Sequence, residues 1–303
     1  MLAGLILAFV ATIFQSTSYI FSRSFLIKHK RGPFALLIIS QCVMGIVSLF
    51  ILPFCLPKNQ QMLLVLLPYI LFAILAYIFG QFCFFNALKH TEASKVSGML
   101  GFKIVFLALI SILFMNQHFS LLQWGAVLMA VIATLIFASS DKLDLNFKEN
   151  LPVMGWVIAT CLGYASCDII SAAGIRLLMQ EASPIRATLF VVGSEYMILG
   201  IASVYSLPQI LKDDRALLKD AIVYSLTWYT GVLFLFLSFA FINVVLANII
   251  QSTRGLTSIG IALIVTKLGH THLESKMTTS TLVKRTAVAF LMAFSVIFYV
   301  LGK

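Results

Sequence analysis

Ten apolar runs follow one another along this chain with only short polar breaks between them, and that succession leaves few ways to fold. The runs span residues 2 to 21, 33 to 56, 62 to 88, 92 to 116, 120 to 140, 152 to 178, 184 to 207, 220 to 243, 244 to 268 and 281 to 301. At 1.5 Å of rise per residue, a helix of about 20 residues crosses the roughly 30 Å hydrocarbon core of a bilayer. In lipid each backbone N–H and C=O must be satisfied within its own segment, so apolar runs of this length are read as helices. A mean hydropathy of +1.03, with 61% hydrophobic and 11% charged residues, agrees: water could not solvate a fold carrying this much apolar surface. The chain is therefore read as an all-α membrane protein with ten transmembrane helices. The longest polar interruptions are 141–150, 209–220 and 269–276, which leave no room for a soluble domain. Arg23 follows the first run, with no small-residue cleavage site, so that run is read as a retained helix and not a signal peptide.

The formal charge of +10 first suggests a nucleic-acid partner, but the lysines and arginines fall between the apolar runs instead of forming a basic patch with exposed aromatics. They read as topology determinants facing anionic lipid, so the expected partners are the bilayer and a small solute, with a monomer assumed. Alternate inter-run segments, beginning with Arg23, Lys28, Lys30 and Arg31, hold fifteen of the cations, while the other side holds Lys58, Arg176, Arg186 and Lys303. By the positive-inside rule, that count places both termini outside the cytoplasm. The five cysteines lie within apolar runs without metal or redox spacing. No His-Glu-x-x-His pattern or phosphate loop occurs, and His270 with His272 is a two-histidine fragment, so neither a cofactor nor a metal is expected.

Internal repetition is the next constraint. A shift of 151 residues, without a gap, lays Gly4 on Gly155, Pro33 on Pro184, Pro57 on Pro208 and Gly80 on Gly231. These are residues that fix helix geometry, and they share one register. The chain is accordingly divided into a first five-helix repeat, 1–140, a linker, 141–150, and a second five-helix repeat, 151–303. Because five is odd, the second repeat enters the bilayer inverted relative to the first, which is the plan of many secondary transporters.

The same shift superposes Lys103 on Arg254, each inside an apolar run. An ionisable residue at that depth costs roughly 2.5 to 3.5 kcal/mol on insertion scales and marks a functional site by default. Asp168 and Glu195 stand near the centres of the sixth and seventh runs, so two anions answer two cations. Asn248, Gln251 and Arg254 recur every third residue and share one face of a helix, as do Tyr77 and Gln81; Gln15, Trp228 and Tyr229 lie at matching depth. Two readings stay open. Either Lys103 and Arg254 hold a substrate anion in a cavity lined by Asn248, Gln251, Tyr77, Gln81, Trp228, Tyr229 and Gln15, with Glu195 or Asp168 carrying a proton or the substrate's amino group, or the four ions pair off and fasten helices.

The stretch from Phe85, FNALKHTEASKVSGMLGFKIVFLALISILFMNQHFSLLQWGAVLMAVIATLIF, resembles the repeat unit of the drug/metabolite transporter superfamily, EamA-type branch. That unit carries a central Glu-Pro in its fourth helix and a Gly-Glu-Arg turn after it. Here Lys103-Ile104 and Arg254-Gly255 occupy the first position, and Asn116-Gln117-His118 and Leu268-Gly269-His270 the second. The resemblance implies ten helices, a substrate path between the halves, export or exchange of small metabolites, and termini in the cytoplasm, against the charge count. The function expected is secondary transport of a small polar metabolite, such as an amino acid, another zwitterion or an organic anion, in a bacterial inner membrane. A membrane receptor or scaffold and an intramembrane enzyme are the alternatives.

Overall fold

The computed structural model describes residues 1–29, 32–90, 100–139, 147–212, 216–254, 257 and 279–302, and every regular element among them is helical. In chain order the main helices are α1 (Leu2–His29), α2 (Gly32–Ile51), α3 (Gln60–His90), α4 (Lys103–Met115), α5 (Leu121–Ser139), α6 (Phe147–Leu178), α7 (Pro184–Val204), α8 (Ala216–Phe239), α9 (Val244–Ser252) and α10 (Thr279–Leu301). Two short 3-10 turns, Leu52–Phe54 and Leu100–Phe102, and a five-residue helix, Leu207–Leu211, fill gaps between them. Six segments are long and apolar enough to cross a membrane: Leu2–Ser22, Phe34–Phe54, Gln60–Phe84, Val153–Leu178, Pro184–Val204 and Ala216–Phe239. Leu100–Met115, Leu121–Ala133 and Phe290–Leu301 are shorter apolar helices. The chain is a multi-pass integral membrane protein, and its outward face is what lipid requires: Phe72, Leu113 and Phe114 project fully from the bundle.

Local chemistry sets the helix ends. Ser183 caps α7, its hydroxyl accepting from the Arg186 N–H, and Pro184 occupies the first turn, where its missing N–H costs nothing. Asn243 caps α9 by accepting from the Val245 N–H at 2.7 Å, which explains how α8 and α9 are separated by barely a turn. Asn116, at φ 49°, ends α4 in the left-handed conformation that asparagine tolerates.

Several boundaries differ from the sequence reading. Helix α6 begins at Phe147, so the last four residues of the expected linker are helical. Lys103 does not stand at the middle of a helix. It is the first residue of α4, directly after the Leu100–Phe102 turn, while residues 91–99 lie outside the described residues. Hydropathy counts apolar side chains and is blind to such a change of backbone winding. The ninth run is interrupted similarly, since α9 ends at Ser252 with Thr253 as its cap, immediately before Arg254.

Packing pairs helices from different parts of the chain. The most extensive contacts join α1 to α8, α3 to α6, α2 to α7, and α5 to α10; smaller ones place α4 on α6 and α9 on α1. Small residues permit the closest approaches. A Cβ on Gly45 of α2 would sit 2.7 Å from the Gly200 Cα of α7, and one on Gly163 of α6 equally close to the Gly80 backbone of α3. The main apolar core runs along these contacts and includes Leu66, Ile104, Leu107, Ile175, Val191, Leu246 and Ile249.

Candidate functional site

A buried polar layer crosses the bundle where α4 and α9 are interrupted. Lys103 Nζ lies 2.6 Å from Asp168 Oδ2 of α6, and both side chains are about nine-tenths buried. The same carboxylate oxygen accepts from Asn248 Nδ2 of α9 at 2.9 Å. The second N–H of Asn248 goes to the Val244 carbonyl at 3.0 Å, while its Oδ1 is buried without a hydrogen-bond partner. Three helices thus converge on one carboxylate, and the lysine that the apolar run could not solvate is neutralised by its neighbour. A buried pair of this kind is tolerable because each charge replaces the water the other has lost.

Arg254 takes a different partner. Its Nη1 donates to Gln15 Oε1 of α1 at 3.3 Å and its Nε to the Gln251 carbonyl at 3.2 Å, and Gln251 Nε2 donates to the same Gln15 oxygen at 2.8 Å. Ser16 of α1 bonds the Arg254 carbonyl at 3.2 Å and also contacts the Thr257 hydroxyl. So the two shift-related cations stand at equivalent helix breaks, one against a carboxylate and one against an amide.

The third part is aromatic. The Tyr77 hydroxyl of α3 accepts from Gln41 Nε2 of α2 at 2.9 Å and from Gln81 Nε2 at 3.1 Å. Its ring lies 6.4 Å from that of Tyr196 of α7 and 6.3 Å from Tyr164 of α6. Tyr196 meets Tyr229 of α8 edge-to-face at 5.3 Å, and the Tyr229 hydroxyl bonds Ser48 at 2.7 Å. Trp228 stacks on Tyr224, their ring centroids 6.4 Å apart. Glu195 of α7, next to Tyr196 in the chain, accepts from Ser171 Oγ of α6 at 2.6 Å.

All the anticipated residues lie among the described ones, in three neighbouring groups: Lys103, Asp168 and Asn248; Arg254, Gln251 and Gln15; Tyr77, Gln81, Trp228, Tyr229 and Glu195. Sequence reasoning missed Gln41, Ser171 and Tyr196. Gln41 carried a usable signal, as an amide alone in the run 33–56, and so did Tyr196 beside Glu195. Ser171 carried none, because serine is ordinary in membrane helices. A separate recess of about 380 Å³ lies at the helix ends, lined by Gln117, His118, Phe119, Ser120, Gln123, Asn243 and Gly302.

Comparison with known proteins places this architecture. Residues 2–139, the first repeat read from the sequence, match the EamA-like transporter family of the drug/metabolite transporter superfamily. That segment is similar to the EamA-like transporter family over somewhat less than half of the chain. The EamA-like match ends at Ser139, the last residue of α5, so it closes on a helix boundary. No curated protein matches the chain. A solved structure, described only as "Crystal structure of protein", superposes with a TM-score of 0.68 over 99% of this chain and 97% of its own, at 14% identity, a likeness of fold alone.

Proposed function

We propose that the protein is a secondary transporter that moves a small polar metabolite, an amino acid, another zwitterion or an organic anion, by alternating access between two inverted five-helix repeats, 1–140 and 151–303, with ten spans in all. The observation that carries this reading is the buried polar layer itself. Three ionisable side chains about nine-tenths buried, Lys103, Asp168 and Glu195, and the amides Asn248, Gln251 and Gln15 lie inside an apolar bundle, with Lys103 and Arg254 beside two helix interruptions. Interrupted helices at mid-depth are where inverted-repeat transporters bind their solutes.

The packing supports the inverted arrangement. Under the 151-residue shift α1 becomes α6 and α8 becomes α3, so the pair α1/α8 maps onto α6/α3. The pair α2/α7 maps onto itself, and so does α5/α10 once the longer connection before Leu282 in the second half is allowed for. A two-fold relation between the halves would produce this set, and in the proposed arrangement its axis lies in the membrane plane.

In the cycle, Arg254 is the first candidate for a substrate carboxylate, since a guanidinium presents a planar fork suited to it. Lys103 joins it only if the substrate competes with Asp168. Glu195, at the junction with the aromatic group, carries the proton or charge that couples transport to a gradient. A membrane transporter needs no covalent chemistry, and we assign none. The reading includes a monomer working in a bacterial inner membrane. Uptake of labelled amino acids and organic acids into proteoliposomes of purified protein, with and without a pH gradient, tests the reading: accumulation above protein-free vesicles is expected, and none would refute it.

A further inference from the structure

We propose that the recess at the ends of α4, α8 and α10 binds the phosphate of a phospholipid headgroup, at a site apart from the buried polar layer and independent of the transport reading. The recess, of about 380 Å³, is bounded by the α4–α5 turn, the α8–α9 turn and Gly302. Three apolar helices, Leu100–Met115, Ala216–Phe239 and Phe290–Leu301, run out just before it, and a fourth, Leu121–Ala133, starts beside it. It therefore opens at the level of the headgroups, where tryptophan is enriched; Trp124, one turn into α5, is exposed at that level.

The hydrogen bonds around the recess use up its oxygens and leave its nitrogens. Asn243 Oδ1 accepts from the Val245 N–H at 2.7 Å, Gln117 Oε1 from Asn243 Nδ2 at 2.5 Å, and Gln123 Oε1 from the Ser120 N–H at 2.9 Å. The Ser120 hydroxyl donates to the Gly302 carbonyl at 2.8 Å and accepts from the Gln123 N–H at 3.3 Å. Among the described residues, Gln117 Nε2, Gln123 Nε2 and the His118 ring donate to no acceptor. Gln123 is only 7% exposed and lines the recess, so an amide that has lost nearly all its water keeps two N–H groups with the recess to turn to. Buried donors are rarely left without an acceptor unless something else supplies one. No aspartate or glutamate lines the recess, and an ammonium there would meet donors only.

Two helix N-termini add to this. Helix α5 starts at Leu121 and α9 at Val244, and the residues just before them, Ser120 and Asn243, line the same recess, so partial positive charge from both helices converges there. A ligand made of acceptors answers such a set, and a phosphate has oxygens enough to meet the amides of both turns. The surroundings favour a lipid as its source. Leu113, Phe114 and Leu121, on either side of the α4–α5 turn, project from the bundle and offer acyl chains an apolar surface beside a bound headgroup.

The test is thermal stabilisation of the delipidated full-length protein in detergent by phosphatidylglycerol, by diacylglycerol with the same acyl chains, and by inorganic phosphate. Phosphatidylglycerol is expected to raise the melting temperature and diacylglycerol to leave it unchanged. Gln123→Glu and Gln117→Glu each keep the oxygen that Ser120 or Asn243 uses and replace the free N–H groups by a carboxylate oxygen. Each variant is expected to melt like the wild type without lipid and to bind phosphatidylglycerol about tenfold more weakly or worse, because like charges then meet. Should Gln123→Glu fail to fold, Gln117→Glu, on a half-buried side chain, carries the same test. Equal stabilisation by diacylglycerol, unchanged phosphatidylglycerol binding in the variants, or no stabilisation by phosphatidylglycerol overturns the site. Inorganic phosphate that stabilises as strongly as phosphatidylglycerol overturns the lipid as its occupant.

Discussion

Lys103 and Asp168 are worth more as a pair than either is alone. Removing one partner leaves an uncompensated charge in the bundle, which costs about 3–5 kcal/mol in comparable buried pairs. Lys103→Met and Asp168→Asn should each lower thermal stability in detergent strongly, and the double variant should recover most of the loss, a coupling that a double-mutant cycle measures directly. Recovered stability without recovered transport would assign the pair to the working site; recovery of both would make it a fastener. Lys103 was legible because a cation in an apolar run has few innocent explanations. Its partner was not, because periodicity fixes which face of a helix a residue occupies and says nothing about which helix comes to meet it. For the same reason Asn248 and Gln251 were recognised as one face, yet they turn to different neighbours, Asp168 and Gln15. The group around Tyr77 was half visible: Gln81 at i+4 lies within reach by helix geometry, whereas Gln41 arrives from α2.

At the scale of elements, the helices follow hydropathy closely and the breaks do not. The Leu100–Phe102 turn and the end of α9 at Ser252 fall inside runs that read as continuous, and nothing in their apolar content marks a change from α to 3-10 winding. Those breaks put Lys103 and Arg254 beside helix termini. The contact of α2 with α7 depends on absent side chains. Gly200→Leu must drive the helices apart at Gly45, and overpacking of this sort costs about 1–3 kcal/mol or more, readable as a lowered melting temperature. At the other extreme, Lys28 Nζ and His29 Nε2 both stand 2.6 Å from Asp220 Oδ2, tying α1 to the first turns of α8. Asp220 is partly exposed and Lys28 largely so, which lets water and salt screen the contact. Asp220→Asn should therefore shift stability by less than about 1 kcal/mol, and a larger loss would show that the tie carries more than a surface ion pair.

For the molecule as a whole, the repeat is the most legible feature of the sequence, since four helix-shaping residues and a cation share one shift. Orientation divides the arguments: the distribution of lysines and arginines favours termini outside the cytoplasm, the EamA-like resemblance termini inside. A fluorescent protein that is dark in the periplasm, fused after Lys303, distinguishes them. By the charge count the cells stay dark, and bright cells would reverse the topology. The central claim, that the buried layer binds and moves a solute, is tested most directly by uptake of a labelled amino acid panel into proteoliposomes holding the wild type or Glu195→Gln at matched protein content. The account predicts accumulation by the wild type above empty vesicles and its loss in the variant despite a normal melting curve. Equal uptake by both proteins, or none by either, would contradict it.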